Sequence, residues 1–183
     1  MARGLWRELG RLIERVLRDA MRAPRPGSGS APRTGRGLSG SGQVESPGQY
    51  GADATRDVRR EELPQIRIAY APDADGDPDP GEIVWTWVPY VENDGRGKDR
   101  PVLIIGRLGS EAVVGCSLST KQHRGFIPIG AGGWDSQGRE SYLSPERLLR
   151  VTPAGMRREG HVLPRDRFEP PVKIVARKFG IAA

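Results

Sequence analysis

Between Gly81 and Gly106 the chain carries two strand patterns separated by a polar loop. Ile83, Trp85 and Trp87 alternate with Val84, Thr86 and Val88. That period of two, in β-branched and aromatic residues, predicts an extended strand with two different faces. Val102-Leu103-Ile104-Ile105, bounded by Pro101 and Gly106, is an unbroken apolar run and predicts a strand buried on both faces. The segment between them, Val91 to Asp99, is charges and glycines. A polar loop held by two well-specified strands is where a small β domain carries its chemistry.

The remaining length bounds what surrounds this pair. A chain of 183 residues with a single cysteine has room for one ordinary domain plus additional segments. Cys116 lies in an apolar run and reads as a small core residue. There is no disulfide framework and no cysteine pairing suited to a metal, a pattern that fits a reducing, cytoplasmic setting. The net charge of +6 is unevenly distributed: residues 66–95 hold one Lys or Arg and seven Asp or Glu, whereas residues 96–183 hold 16 and eight. An acidic edge beside a basic body is an electrostatic footprint suited to nucleic acid.

Three segments follow from pattern. Residues 1–22 contain an amphipathic basic helix, because Leu5, Leu9, Leu12, Val16 and Ala20 fall on one stripe with Arg7, Arg11, Arg15 and Arg18 opposite. Its charges exclude a transmembrane span, and no apolar run has signal-peptide length. The helix therefore suits docking on a partner or on the domain, or peripheral contact of residues 4–22 with the inner face of a membrane. Residues 23–64 are rich in Pro, Gly and Ser and predict a disordered linker. Residues 65–183 form the folded domain, starting with the short alternating segment Ile66–Tyr70.

Within that domain, alternate aspartates at 73–79 resemble a calcium loop, but the glycine comes too early and no glutamate stands at the twelfth position. A rigid acidic turn is expected instead. Ala112–Leu118, Phe126–Ile129, Ser141–Leu143 and Arg147–Val151 add strands, with Pro128 marking an edge. Arg165–Lys178 predicts a closing helix or helix plus strand, blurred by Pro170 and Pro171. Short strands, compact turns and one C-terminal helix together predict a mainly β fold closed into a small, strongly bent barrel.

Alternate connections of such a meander emerge at one end, so the loop before Arg100 meets the loop after Leu118. They bring Arg100, Lys98, Arg96 and Glu92 towards Ser119, Thr120, Lys121 and His123. The set contains no metal cluster and no P-loop, so neither cofactor nor metal is expected. It suits a phosphodiester: Arg100 stabilises added negative charge, Ser119 or Thr120 holds a phosphate oxygen, and His123 or Glu92 is the base. Arg96, Lys98, Lys121 and Arg124 are candidate cations for binding nucleic-acid phosphates. Trp134, in the glycine-rich loop Gly130–Gly133, is a candidate stacking platform for a base.

Gly81-Glu82-Ile83-Val84-Trp85, Asp99-Arg100-Pro101-Val102-Leu103-Ile104-Ile105 and Leu118-Ser119-Thr120, in that order, resemble the MazF/PemK family of toxins from type II toxin–antitoxin systems, in an actinobacterial branch. The resemblance covers residues 66–180. It implies an SH3-like barrel of the CcdB/MazF type and a homodimer. The implied activity is cleavage of single-stranded RNA without metal, leaving 2′,3′-cyclic phosphate and 5′-hydroxyl ends. It also implies neutralisation by a cognate antitoxin, with the complex binding operator DNA. The family's arginine falls on Arg100. Its catalytic threonine falls on Ser119, or on Thr120 after a shift of one, and its acidic loop residue on Glu92 or Asp94. A serine at the threonine position is a departure, and leaves open a non-catalytic member of the fold that binds operator DNA or gyrase.

Overall fold

The computed structural model describes residues 45–73 and 76–182. The expected helix at 4–22 and most of the expected linker lie outside them, as does Asp75 of the acidic turn. The described residues belong to one compact unit, residues 43–183.

Nine strands and one α-helix make up this body: β1 (Arg56–Asp57), β2 (Ile66–Ile68), β3 (Glu82–Pro89), β4 (Gly97–Leu108), β5 (Ala112–Ser119), β6 (Ile127–Gly130), β7 (Ser141–Leu143), β8 (Leu149–Val151), β9 (Arg157–Val162) and α1 (Arg165–Phe179). Among them β4 is central. It pairs antiparallel with β3 through Ile83↔Leu103 to Pro89↔Gly97, with β5 through Val102↔Ser117 to Leu108↔Ala112, and near its far end with β2.

Alternation along these strands divides the core in two. Ile83, Leu103, Ile105, Cys116 and Leu118 point to one face, where Phe168, Val172 and Val175 of α1 complete the packing. Val84, Val88, Val102, Ile104, Val113 and Val151 point to the other. Val102, Leu103, Ile104 and Ile105 are all fully buried, as an unbroken apolar run predicts, and each contributes about 1.5–3 kcal/mol of burial. Cys116 is also fully buried, and burial alone pushes its thiol up to about 12. It is a packing residue with no thiolate to offer at neutral pH.

The mainly β body with its C-terminal helix agrees with the sequence reading, but the closed, SH3-like barrel does not. The strand order is β1-β8-β5-β4-β3-β9, with β2, β6 and β7 attached off this path. Closure requires a ladder between the end strands, and among the described residues β1 pairs only with β8 and β9 only with β3. β1 is two residues long, too short to supply a closing ladder. The sheet is bent instead by register shifts at Ile104/Gly106 of β4 and Ile83/Val84 of β3, as bulges do.

α1 is one continuous helix through Pro170 and Pro171. Two missing N–H donors cost intrahelical bonds, but burial of Phe168, Val172, Val175 and Ala176 against the sheet holds the element together. Residues 46–64, assigned on composition to the linker, lie on the sheet. Pro47 accepts from Trp87 N–H at 2.9 Å, and the Thr55 and Thr86 hydroxyls meet at 2.6 Å, with Thr86 donating to the Gly155 carbonyl. Gly48 has φ 78 and no room for a side chain, since a Cβ there would lie 2.4 Å from Thr86 Oγ1.

A second tie in this segment carries a pH dependence. Arg56 forks onto both Glu62 oxygens at 2.7 and 2.8 Å, and Arg59 N–H adds a third bond. Chiefly through Arg56, the Glu62 carboxyl is lowered from its ordinary 4.5 to about 2. A depressed folded-state value stabilises above the unfolded one and loses that contribution as pH falls through the folded one. Glu62→Gln is therefore expected to lower the urea midpoint at pH 6 and to leave it near wild type at pH 2. Equal differences at both pH values would remove Glu62 as the titrating group.

Candidate functional site

The site lies where β4 and β5 part. Their ladder ends at Val102↔Ser117. Beyond it β5 turns to β7, with Leu118↔Leu143 and Ser119↔Tyr142 in register. One more antiparallel step would set Arg100 opposite Ser119, but β5 has already left β4 there, and a gap replaces the ladder. Strand geometry, rather than a loop alone, thus carries Arg100 on one wall and Ser119 on the other.

Two depressions flank this gap. One, of about 410 Å³, is lined by Trp85, Lys98, Asp99, Arg100, Ser119, Thr120, Lys121, His123, Trp134, Asp135 and Arg139 among others. The second, of about 580 Å³, is lined by Val88, Tyr90, Glu92, Arg96, Arg100, Ser119, His123, Phe126 and Arg147 among others. Arg100, Leu118, Ser119 and His123 line both. They form the septum between the depressions.

The charges around the septum are unusually available. Arg100 is half-buried. Unlike the surface ion pair with Asp99 or Glu92 that its neighbours would allow, its guanidinium makes no hydrogen bond or ion pair among the described residues. The same holds for the exposed side chains of Lys98, Lys121 and Arg124. Away from the depressions, Arg56 is tied to Glu62, Arg107 to Asp79 and Arg158 to Glu82. Arg96, Arg139 and Arg147, which line them, are held by Asp94, Asp135 and Asp57, so of the arginines lining the depressions Arg100 alone has no carboxylate among the described residues. A guanidinium partly withdrawn from water and unpaired is disposed to take an anion with planar, forked oxygens.

The hydroxyls differ. Ser119 Oγ accepts from Lys121 N–H at 3.0 Å and donates to the Lys121 carbonyl at 3.1 Å. This turn fixes its rotamer and compensates for the missing β-branch of a threonine. Thr120 is exposed and lines only the smaller depression. The exposed His123 ring lies 4.9 Å from that of Phe126 in a tilted contact and borders both depressions.

Glu92 is exposed and reaches only the larger depression. Asp94, the other acidic candidate, is engaged with Arg96 at 2.7 Å, so that pair is self-neutralised at the loop tip. Arg124 lines neither depression. Among the described residues no group of three or more His, Cys, Asp or Glu is placed to hold a metal ion, and no helix there is long and apolar enough to cross a membrane.

Trp134 departs from the stacking role read from its glycine-rich loop. It is 4% exposed, and its indole N–H donates to Ser141 Oγ at 3.0 Å. The Gly132 backbone lies so close that a Cβ there would be 2.1 Å from Trp134 Cζ3, while the Arg167 guanidinium sits 5.6 Å from the ring centroid. With its ring covered in this way it forms a wall of the smaller depression and offers no open face to a base. Asp135 and Arg139 cap that wall as an ion pair at 2.7 Å; the Arg139 guanidinium holds the Asp135 carboxyl down at about 2.

Trp85, Asp99 and Arg139 were not singled out as site residues from sequence. Alternation did place Trp85 on one face of its strand, but which β4 residues share that face depends on the β3–β4 register, which no local pattern gives.

Residues 79–173 match a family described as "PemK-like, MazF-like toxin of type II toxin-antitoxin system". Among solved structures, the chain is similar to a crystal structure of MazE-MazF from Deinococcus radiodurans, at 14% identity with a TM-score of 0.40, covering 57% of this chain and 97% of that one. No curated protein matches it.

Proposed function

The chain belongs to the PemK-like, MazF-like toxins of type II toxin–antitoxin systems, and we propose that the gap between β4 and β5 cuts single-stranded RNA. The observation that carries this reading is Arg100: half-buried, unpaired among the described residues, and sharing both depressions with Ser119 and His123. An RNA strand crossing the septum puts a phosphate on Arg100. Its neighbouring 2′-hydroxyl attacks that phosphorus, the bond to the 5′ oxygen breaks, and the products are a 2′,3′-cyclic phosphate and a 5′-hydroxyl. The nucleophile belongs to the substrate, so the protein supplies charge stabilisation, orientation and a base.

Arg100 stabilises the dianionic phosphorane. Ser119, whose Oγ is held by the Lys121 N–H, rotates its one proton from the Lys121 carbonyl to a non-bridging oxygen and orients it. His123 takes the 2′-hydroxyl proton and water protonates the departing 5′ oxygen; His123 is favoured over Glu92 because it lines both depressions. Lys98, Lys121 and Arg124 attract the flanking phosphates, a contribution that weakens as salt rises. An antitoxin that lays an acidic segment across the same cations excludes RNA, and a second copy of the chain extends the surface along which RNA lies.

The test is a long RNA incubated with purified protein in EDTA. Discrete fragments with 5′-hydroxyl ends are expected, and none from an RNA lacking 2′-hydroxyls. Intact RNA in every condition would leave a nucleic-acid-binding protein rather than a nuclease. Ser119→Ala is expected to slow cutting about 10- to 100-fold, the scale of losing one hydrogen bond to a charged group, and Thr120→Ala far less. The reverse order would move the working hydroxyl to Thr120.

A further inference from the structure

On the face of the sheet that carries Ile83 and Leu103, register sets Trp85 opposite Pro101 and Trp87 opposite Asp99. Trp85 and Asp99 therefore share that face, and both line the smaller depression. The Trp85 indole Nε1–H and Asp99 Oδ1 are shut off from solvent and have no hydrogen-bond partner among the described residues. Native interiors hold few such atoms, because each has given up water for nothing in return. Here a donor and an acceptor on one face of the sheet are both orphaned, at the wall of a cavity that borders Arg100, unpaired among the described residues.

The neighbour lying against both is Arg157 of β9. Its guanidinium stands 5.6 Å from the Trp85 ring centroid and donates to Asp99 Oδ2 at 3.2 Å. It also bonds Glu159 at 3.1 Å, and its side chain is 45% exposed. Among the described residues β9 pairs only with β3, so this side chain covers the pair from an edge and is free to leave it for a phosphate.

The geometry points to Trp85 and Asp99 as a base-reading pair: with Arg157 turned out to the RNA backbone, Trp85 Nε1–H donates to, and Asp99 Oδ1 accepts from, the edge of one nucleobase. The Watson–Crick edge of every base presents an acceptor beside a donor, and in single-stranded RNA that edge is free to be read; a fixed order of the two accepts some bases and rejects others. Asp99 and Arg100 are consecutive on β4, with Cα atoms about 3.8 Å apart and side chains turned to opposite faces of the strand. One strand thus holds the phosphate with Arg100 and reads a base beside it with Asp99. This inference rests on the reading of the gap as an RNA site and adds the residues that choose the sequence.

The experiment uses the full chain and a randomised single-stranded RNA pool in two forms. Native RNA is read as cut sites; 2′-fluoro RNA, which has no 2′-hydroxyl to attack, is read as bound sequences. The wild type is expected to fix one base in both. Asp99→Asn, which turns an acceptor into a donor, is expected to change preference at that position about 10- to 100-fold. Trp85→Phe, which keeps the ring and removes the N–H, is expected to relax the same position.

A merely structural role for either residue would lower binding to all sequences alike and overturn the inference. So would an unchanged preference in both variants, or a wild type with no preference in the bound pool, whether or not it cuts. If nothing is cut but Asp99→Asn still alters the bound sequences, the base-reading pair stands and the nuclease reading falls.

Discussion

Replacing Arg100 with alanine is expected to slow RNA cleavage about 100-fold or more, the scale of losing a preorganised charge stabiliser. The effect is large because the guanidinium is placed before substrate arrives. It sits half-buried at the septum of the two depressions and spends none of its side-chain donors on the described residues. A partly dry setting strengthens its attraction for the phosphorane. For the same reason the variant is expected to keep its fold: an unpaired side chain leaves no carboxylate orphaned when removed. Arg100→Lys restores charge but not the planar fork and is expected to fall between wild type and Arg100→Ala. Single-turnover cleavage of a defined RNA, with thermal unfolding as the control, reads both. Near-normal turnover in Arg100→Ala would take Arg100 out of the mechanism.

Leu103→Ala is expected to reduce unfolding stability by about 2–5 kcal/mol, a large part of the roughly 5–15 kcal/mol typical of a whole domain. Leu103 is fully buried at the middle of the central strand. Its cross-strand partners are Ile83 of β3 and Cys116 of β5, and it belongs to the same packed cluster as Phe168, Val172 and Val175 of α1. Neighbours drawn from three elements cannot all close on an alanine, so a cavity adds to the lost burial. Urea unfolding measures the change, and a loss below about 1 kcal/mol would mean that the core around β4 collapses freely. The comparison Ile174→Ala, at an exposed position of α1, is expected to cost little.

Much of the sheet was legible in the chain because alternation and apolar runs are local. Ile83–Val88 and Val102–Ile105 were readable as one strand with two faces and one strand buried on both. The C-terminal helix was legible only in part, since Pro170 and Pro171 weaken a pattern that burial of Val172 and Val175 then sustains. β9 had no signal. Arg157, Arg158, Glu159 and Gly160 are polar or flexible, and their strand exists only because β3 offers a ladder. Trp134 misled in the opposite way. Glycines beside a tryptophan look like a mobile stacking loop, yet the bare backbone of Gly132 is what lets the indole pack.

Residue chemistry was already settled by the sequence: an arginine at the start of an apolar strand, a hydroxyl and a histidine in one later loop, and flanking cations. These are properties of a few adjacent positions. Whether the sheet closed, and what met across it, was decided only in three dimensions. The gap exists because β5 pairs with β4 up to Ser117 and with β7 thereafter, a competition between segments far apart in the chain. Pairing of that kind depends on register and on which edges remain free, and no stretch of residues encodes it alone.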